Sequence, residues 1–178
     1  VYSTFLQRAF DQVFQEVVLQ GLPVMFCLDR GGLVGGDGAV HHGFADIAFL
    51  RPMPGMVLMA PCDEDELKAS LSFGLTLNQP SAIRYPRDNV PAPMLPCPPF
   101  EMGKGRKMRS GDAATILAYG VSTLEALTAA EVLAESGIEA AVWNARFAKP
   151  IDRDMVREAF RGDRPVVTVE DHSVTGGF

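Results

Sequence analysis

A chain of 178 residues, 47% of them hydrophobic, can bury one substantial core or two small ones, which bounds it to one or two domains. Its net charge of -6 argues against nucleic acid as a partner, because backbone binding needs clustered Lys and Arg. No apolar run approaches the roughly 20 residues that span a bilayer, and the start lacks a signal-peptide pattern, so no membrane partner is expected and the cytoplasm is the default location.

From Ser3 to Gln20 the residues Leu6, Ala9, Phe10, Val13, Phe14, Val17 and Val18 fall at helical spacing, with Ser3 or Thr4 as N-cap and Gly21 as the stop. PVMFCLD (23–29) then reads as a buried parallel strand, with Cys27 inside it. A glycine-rich loop follows directly, at the carboxyl end of that strand, where open α/β sheets place their ligands. A short helix near FADIAFL leads to a second strand, MVLMAP (56–61), a helix capped by Asp63, and a third strand, SAIRYP (81–86).

Residues 88–100 are rich in proline and read as a linker between domains 1–87 and 101–178. Beyond it the basic run KGRKMR (104–109) reads as a solvated strand edge. Strand ATILAYG, a helix from Ser122 as cap to Gly137 as stop, strand EAAVWNAR, helix DRDMVREAF and strand PVVTVED complete the pattern. The fold class is α/β: two three-layer domains with mostly parallel sheets. The three cysteines are odd in number and widely spaced, which suits neither a disulfide framework nor a CxxC site. With no initiator Met and a final TGGF, the chain reads as a fragment, truncated at both ends.

The loop LVGGDGAVHHGFAD (33–46) packs four glycines, two histidines and two aspartates into 14 positions. Adjacent His41 and His42 point opposite ways on an extended chain and have no HxH, HExxH or cysteine partner, so no metal site is expected. GGDGA resembles the opening of a magnesium-diphosphate motif, yet positions 61–68, PCDEDELK, lack the Asn that would complete it. Neither Rossmann nor Walker spacing occurs. Two readings stay open: Asp37 and His41 as a pair that hydrogen-bonds substrate hydroxyls and moves a proton at a carbonyl oxygen, or an Asp-Gly turn beside a solvated His. Tyr2, Phe5 and Arg8, spaced by three, share one polar-aromatic helix face, although on spacing alone Phe5 reads equally as a core residue. Arg30, Arg84 and Arg87 lie at the ends of strands on one sheet edge, where guanidinium groups suit a phosphate or form ion pairs, and Arg84, inside its strand, is expected to brace a carboxylate or line the opposite face.

YSTFLQRAFDQV, LPVMFCLDRGGLVGGDGAVHHGFAD, MVLMAPCDEDEL, SAIRYPRDN and VEDHSVTGGF together resemble the 1-deoxy-D-xylulose-5-phosphate synthases of the transketolase superfamily, over essentially the whole chain. The resemblance implies a thiamine-diphosphate pyrimidine-binding fold followed by a transketolase C-terminal-like fold. It implies condensation of pyruvate with D-glyceraldehyde 3-phosphate to 1-deoxy-D-xylulose 5-phosphate and carbon dioxide, in isoprenoid synthesis, by a homodimer. Phe5 would stack on the aminopyrimidine of thiamine diphosphate with Arg8 nearby, Asp37 and His41 would contact acceptor oxygens, and Tyr2, Arg30 and Arg87 would bind the substrate phosphate. Val40 stands where the family usually has Thr. The activating glutamate, the Mg2+ and the diphosphate anchors would lie outside these residues, leaving the fragment inactive by itself. Transketolase proper, or a non-catalytic binding or assembly subunit of a split family member, are the alternatives.

Overall fold

The computed structural model describes residues 1–178. Its strands are β1 (Met25–Leu28), β2 (Val57–Met59), β3 (Ser81–Arg84), β4 (Arg106–Arg109), β5 (Ala114–Tyr119), β6 (Ala140–Asn144), β7 (Phe147–Lys149) and β8 (Val166–Glu170). They form two mixed, mostly parallel sheets, ordered β1-β3-β2-β7 and β4-β6-β5-β8. The α-helices are α1 (Ser3–Leu6), α2 (Phe10–Gln12), α3 (Asp46–Leu50), α4 (Glu64–Gly74), α5 (Ser122–Glu135) and α6 (Arg153–Ala159). None is long and apolar enough to cross a membrane.

The amino-terminal helical segment is less regular than its periodicity predicts. α1 gives way to a 3-10 turn at Gln7–Ala9, then to α2, then to a π-helical stretch at Val13–Val18. Neither Ser3 nor Thr4 is its cap: Tyr2 occupies that position without a side-chain bond. The reason is that the chain arrives paired to β1, with the Ser3 amide donating to the Asp29 carbonyl at 2.8 Å. Ser122 likewise lies inside α5, whose N-cap is Val121. α4 starts as expected, since Asp63 accepts the Glu66 amide at 2.9 Å and three acidic residues occupy the first turn, where the helix dipole favours them.

Two expectations about burial fail. β1 stands at the edge of its sheet, so only Leu28 is fully buried and Cys27 is partly exposed. In the basic run, β4 is indeed an edge strand, but Arg106 is buried. Its guanidinium donates to Glu66 at 2.9 Å, and Arg146 donates to the same Glu66 oxygen at 2.9 Å. Asn144 donates to the other oxygen at 2.7 Å. A fully buried carboxylate on α4 thus gathers three side chains from beyond the proline-rich run. Burial alone would push the Glu66 carboxyl upward; the Arg146 charge and the Arg106 hydrogen bond outweigh it and hold the group below the ordinary range.

β7 is the element that periodicity does not foresee. It leaves the second sheet's neighbourhood and pairs antiparallel with β2, Leu58 opposite Lys149 and Met59 opposite Phe147. Phe147 is completely buried and meets Phe73 and Phe100 at centroid distances of 6.0 and 5.8 Å. The largest core cluster is correspondingly shared, running from Leu6, Val13 and Leu28 to Leu117, Tyr119 and Met155.

Candidate active site

Pairing of Tyr2 with Asp29 stitches the start of α1 to the end of β1, so two segments that are remote in sequence open on one edge. Arg30 follows with a φ of 64°, a left-handed conformation that costs a side-chain-bearing residue about 1–2 kcal/mol. It is held there from several sides. The Gly31 amide donates to the Tyr85 carbonyl at 2.9 Å, and the guanidinium lies 3.8 Å from the Tyr2 ring centroid. Arg30 Nε donates to Asp37 Oδ2 at 2.7 Å, and its Nη1 donates to Asp29.

The loop after Arg30 is closed at its base, where Gly31 and Gly32 pair with Gly43. Between them stand two 3-10 turns, Gly35–Asp37 and Ala39–His41, joined by Gly38 at φ 81° and ψ 171°, a region that only glycine occupies readily. The second turn delivers His41 to α1. Its ring meets Phe5 edge-on at 5.5 Å and Tyr2 at 5.8 Å, while Tyr2 and Phe5 stack at 4.8 Å with an 11° interplanar angle. His42 goes elsewhere: its Nδ1 accepts the Val34 amide at 3.2 Å. That bond requires the nitrogen to be unprotonated.

Arg87, half exposed, brings its Nε to 3.4 Å from Asp37 Oδ2. Asp37 therefore faces two guanidinium groups. The Arg30 hydrogen bond, with help from the Arg87 charge, holds its carboxyl below the ordinary range. Such a carboxylate is a good acceptor for a substrate hydroxyl and a poor carrier of protons near neutral pH. Beside it a cleft of about 450 Å³ runs along the sheet edge between Arg30, Arg87, Tyr85, Asp63 and Val121.

Six of the seven residues expected to form the site thus meet or adjoin one another: Tyr2, Phe5, Arg30, Asp37, His41 and Arg87. Arg8 does not join them, being exposed and without a hydrogen bond or ion pair. Arg84 turns away from the cleft and braces a buried carboxylate, its Nε 3.0 Å from Asp46 Oδ2. Burial pushes Asp46 upward, but the Arg84 charge and a His172 contact prevail and lower it.

The nearby polar atoms also bear on a cofactor. Phe5 is 46% exposed although Tyr2 covers one face of its ring, and the buried Thr4 Oγ1 and His41 Nδ1 have no partner. An open aromatic face with the His41 ring set edge-on to it fits a flat heteroaromatic ring with its own donors and acceptors. No group of three or more His, Cys, Asp or Glu side chains stands placed to hold a metal.

Sequence reasoning missed Asp29, Asp46, Asp171 and His172. The last two carried a usable signal, since they directly follow β8 at its carboxyl end.

Comparison with known proteins identifies the two domains and their fold. The transketolase pyrimidine-binding domain matches residues 1–93 and the transketolase C-terminal domain matches residues 103–178. The whole chain is 49% identical to 1-deoxy-D-xylulose-5-phosphate synthase 1 of Geobacter sulfurreducens and 50% identical to the synthase of Synechococcus elongatus, and spans 28% of the length of each. Among solved structures, a split-gene transketolase described as an inactive β4 tetramer superposes with a TM-score of 0.90 at 34% identity, covering 99% of this chain and 57% of that one. A Pichia stipitis transketolase variant shares the fold at a TM-score of 0.81 and 21% identity, with 99% of this chain and 27% of that one covered. The chain belongs to the transketolase family and is a homologue of the 1-deoxy-D-xylulose-5-phosphate synthases.

Proposed function

We propose that this chain supplies the aminopyrimidine-facing and acceptor-facing walls of a thiamine-diphosphate-dependent 1-deoxy-D-xylulose-5-phosphate synthase. The enzyme condenses pyruvate with D-glyceraldehyde 3-phosphate and releases carbon dioxide. The observation that carries this reading is the meeting of the Tyr2–Phe5 stack with His41 and of Arg30 with Asp37, on one sheet edge.

Thiamine diphosphate, when bound, supplies the carbanion chemistry. Phe5 would hold its aminopyrimidine ring. His41 is placed to hold or donate a proton at the acceptor's carbonyl oxygen, and Asp37 to accept a hydrogen bond from an acceptor hydroxyl. Arg87, with only one long contact of its own, is the freer guanidinium for the phosphate; Arg30 already serves two carboxylates and shapes the site from beneath, with Tyr2 against it. The activating glutamate, the diphosphate anchors and Mg2+ have to be provided elsewhere in the assembled enzyme. Domains 1–87 and 101–178 joined by the 88–100 linker, cytoplasmic location and homodimeric assembly belong to the same proposal; the exposed Leu33, at the start of the loop, and Val40, further along it, suit burial under another subunit.

The test is direct. The assembled enzyme, given pyruvate, D-glyceraldehyde 3-phosphate, thiamine diphosphate and Mg2+, should release carbon dioxide and form the five-carbon ketose phosphate. Turnover only with a ketose-phosphate donor would instead mark a transketolase. The likeness to a split-gene transketolase favours one second reading, a separate subunit that is inactive alone. Under it, activity appears only when a chain carrying the diphosphate-binding domain is added.

A further inference from the structure

The loop that carries Asp37 and His41 is anchored by a residue from the far end of the chain. The Leu33 amide points at the carboxylate of Asp171, 138 positions away, with both oxygens in range at 3.1 and 3.2 Å. Gly32 makes this approach possible, because a Cβ there would run into that same carboxylate, and its φ of 84° independently disfavours a side chain.

Asp171 is itself fixed. Its backbone carbonyl accepts from Arg84 Nη2 at 3.0 Å, and Arg84 is locked by Asp46. His172 follows, with Nε2 3.4 Å from the other Asp46 oxygen and its side chain fully buried. Gly31 lies directly under the Arg84 guanidinium, where a Cβ would come within 2.9 Å of Nη2. A buried cluster therefore clamps residues 171 and 172 against the base of the loop, and the Asp171 carboxylate reaches past it to the loop's first amide. Beyond Leu33 the loop's other ties are the Val34 amide to His42 within it, Arg30 and Arg87 on Asp37, and the His41 ring against Tyr2 and Phe5.

We propose that Asp171 is a positioning residue for the Asp37–His41 loop, so that the geometry of this loop depends on the docking of the segment after β8 against β1 and β3. The proposal rests on the reading of Asp37 and His41 as substrate-facing groups. A backbone amide held by a carboxylate is a charge-assisted bond, and its loss frees the loop locally without opening the core.

The 178-residue chain itself is the material for the test, with amide hydrogen exchange and the His41 ring resonances as readouts. In Asp171→Ala, exchange at Leu33 and its loop neighbours should rise roughly tenfold to a hundredfold, and the His41 signals should move, while α5 and β5 keep the parent's protection. Asp171→Asn, which keeps the shape and one acceptor, should fall between. Leu127→Ala, half-buried against the separate core under α5, serves as the control for general destabilisation. Loop exchange unchanged in Asp171→Ala, or raised equally by Leu127→Ala, would overturn the proposal. Neither readout involves substrate, so a failed synthase assay beside altered loop exchange would sink the reading of the site and leave the anchor standing.

Discussion

Arg30 donates to Asp37 across 2.7 Å, and the two residues bracket the loop on which the candidate chemistry stands. Because this bond keeps the Asp37 carboxyl ionised well below neutrality, Asp37 should not set the acid limb of a pH–rate profile between about pH 5 and 8. Asp37→Asn in the assembled synthase is expected to lower kcat/KM for the acceptor by about tenfold to a hundredfold while leaving that limb where it was. An acid limb that disappears with the substitution would make Asp37 the titrating group and refute this account.

His41 and His42 should separate cleanly. Removal of a positioned acid or base costs about 10² to 10⁴ in turnover, and His41→Ala is expected to fall in that range. His42 serves the loop through the Val34 amide and has no contact with the Tyr2–Phe5 stack, so His42→Ala should cost about tenfold or less. Steady-state rates for both variants, measured side by side, decide the point; equal losses would reduce His41 to a loop residue.

Arg87 offers a test of phosphate recognition. Arg87→Ala should raise KM for D-glyceraldehyde 3-phosphate and leave KM for pyruvate nearly unchanged. Arg87→Lys should already be costly if the contact is bidentate, since an ammonium lacks the planar fork. Unphosphorylated glyceraldehyde is the control acceptor and should lose little further. Equal harm to both acceptors would show that Arg87 supports Asp37, its neighbour at 3.4 Å, and not the phosphate.

Glu66 governs stability. Glu66→Ala leaves Arg106 and Arg146 buried without their shared partner and should destabilise the chain by about 3–5 kcal/mol in a denaturant titration. The pH dependence follows from direction. Glu66 and Asp46 both have folded-state values below the ordinary carboxylate range, so their stabilisation is complete above about pH 4 to 4.5 and is lost as pH falls toward the depressed values. Glu66→Gln should therefore flatten the acid side of the stability curve. A curve as steep as the parent's below pH 4 would contradict that.

Much of this was legible from local signals. Strands β2, β3, β5, β6 and β8 are short apolar runs bounded by turn residues, and α4 and α6 open on caps that do bond. What local signals cannot carry is lateral position. Nothing in PVMFCLD distinguishes an edge strand from a central one, so its apolar character does not show that Cys27 is partly exposed. KGRKMR looks solvated until Glu66 supplies a buried partner 40 residues away for Arg106. Phe147–Lys149 is too short to show a period, and its pairing with β2 depends on a turn at Arg146, another residue with positive φ. Arg30 and Arg87 follow β1 and β3, and Asp37 and His41 lie on the loop after β1, so their clustering is readable from sequence; Arg8, on the 3-10 turn at Gln7–Ala9, is exposed and makes no hydrogen bond or ion pair with them.

The pairing of β7 with β2 sets a rule for anyone who divides or recombines this protein. A cut in the proline-rich run looks natural in sequence, yet it would strip the first sheet of an edge strand and leave β2 open to adventitious pairing. Phe73 and Phe100 would lose the ring that covers them. Chimaeras between relatives should therefore inherit residues 144–149 from the same parent as α4 and β2, and separately expressed halves are expected to be insoluble unless produced together.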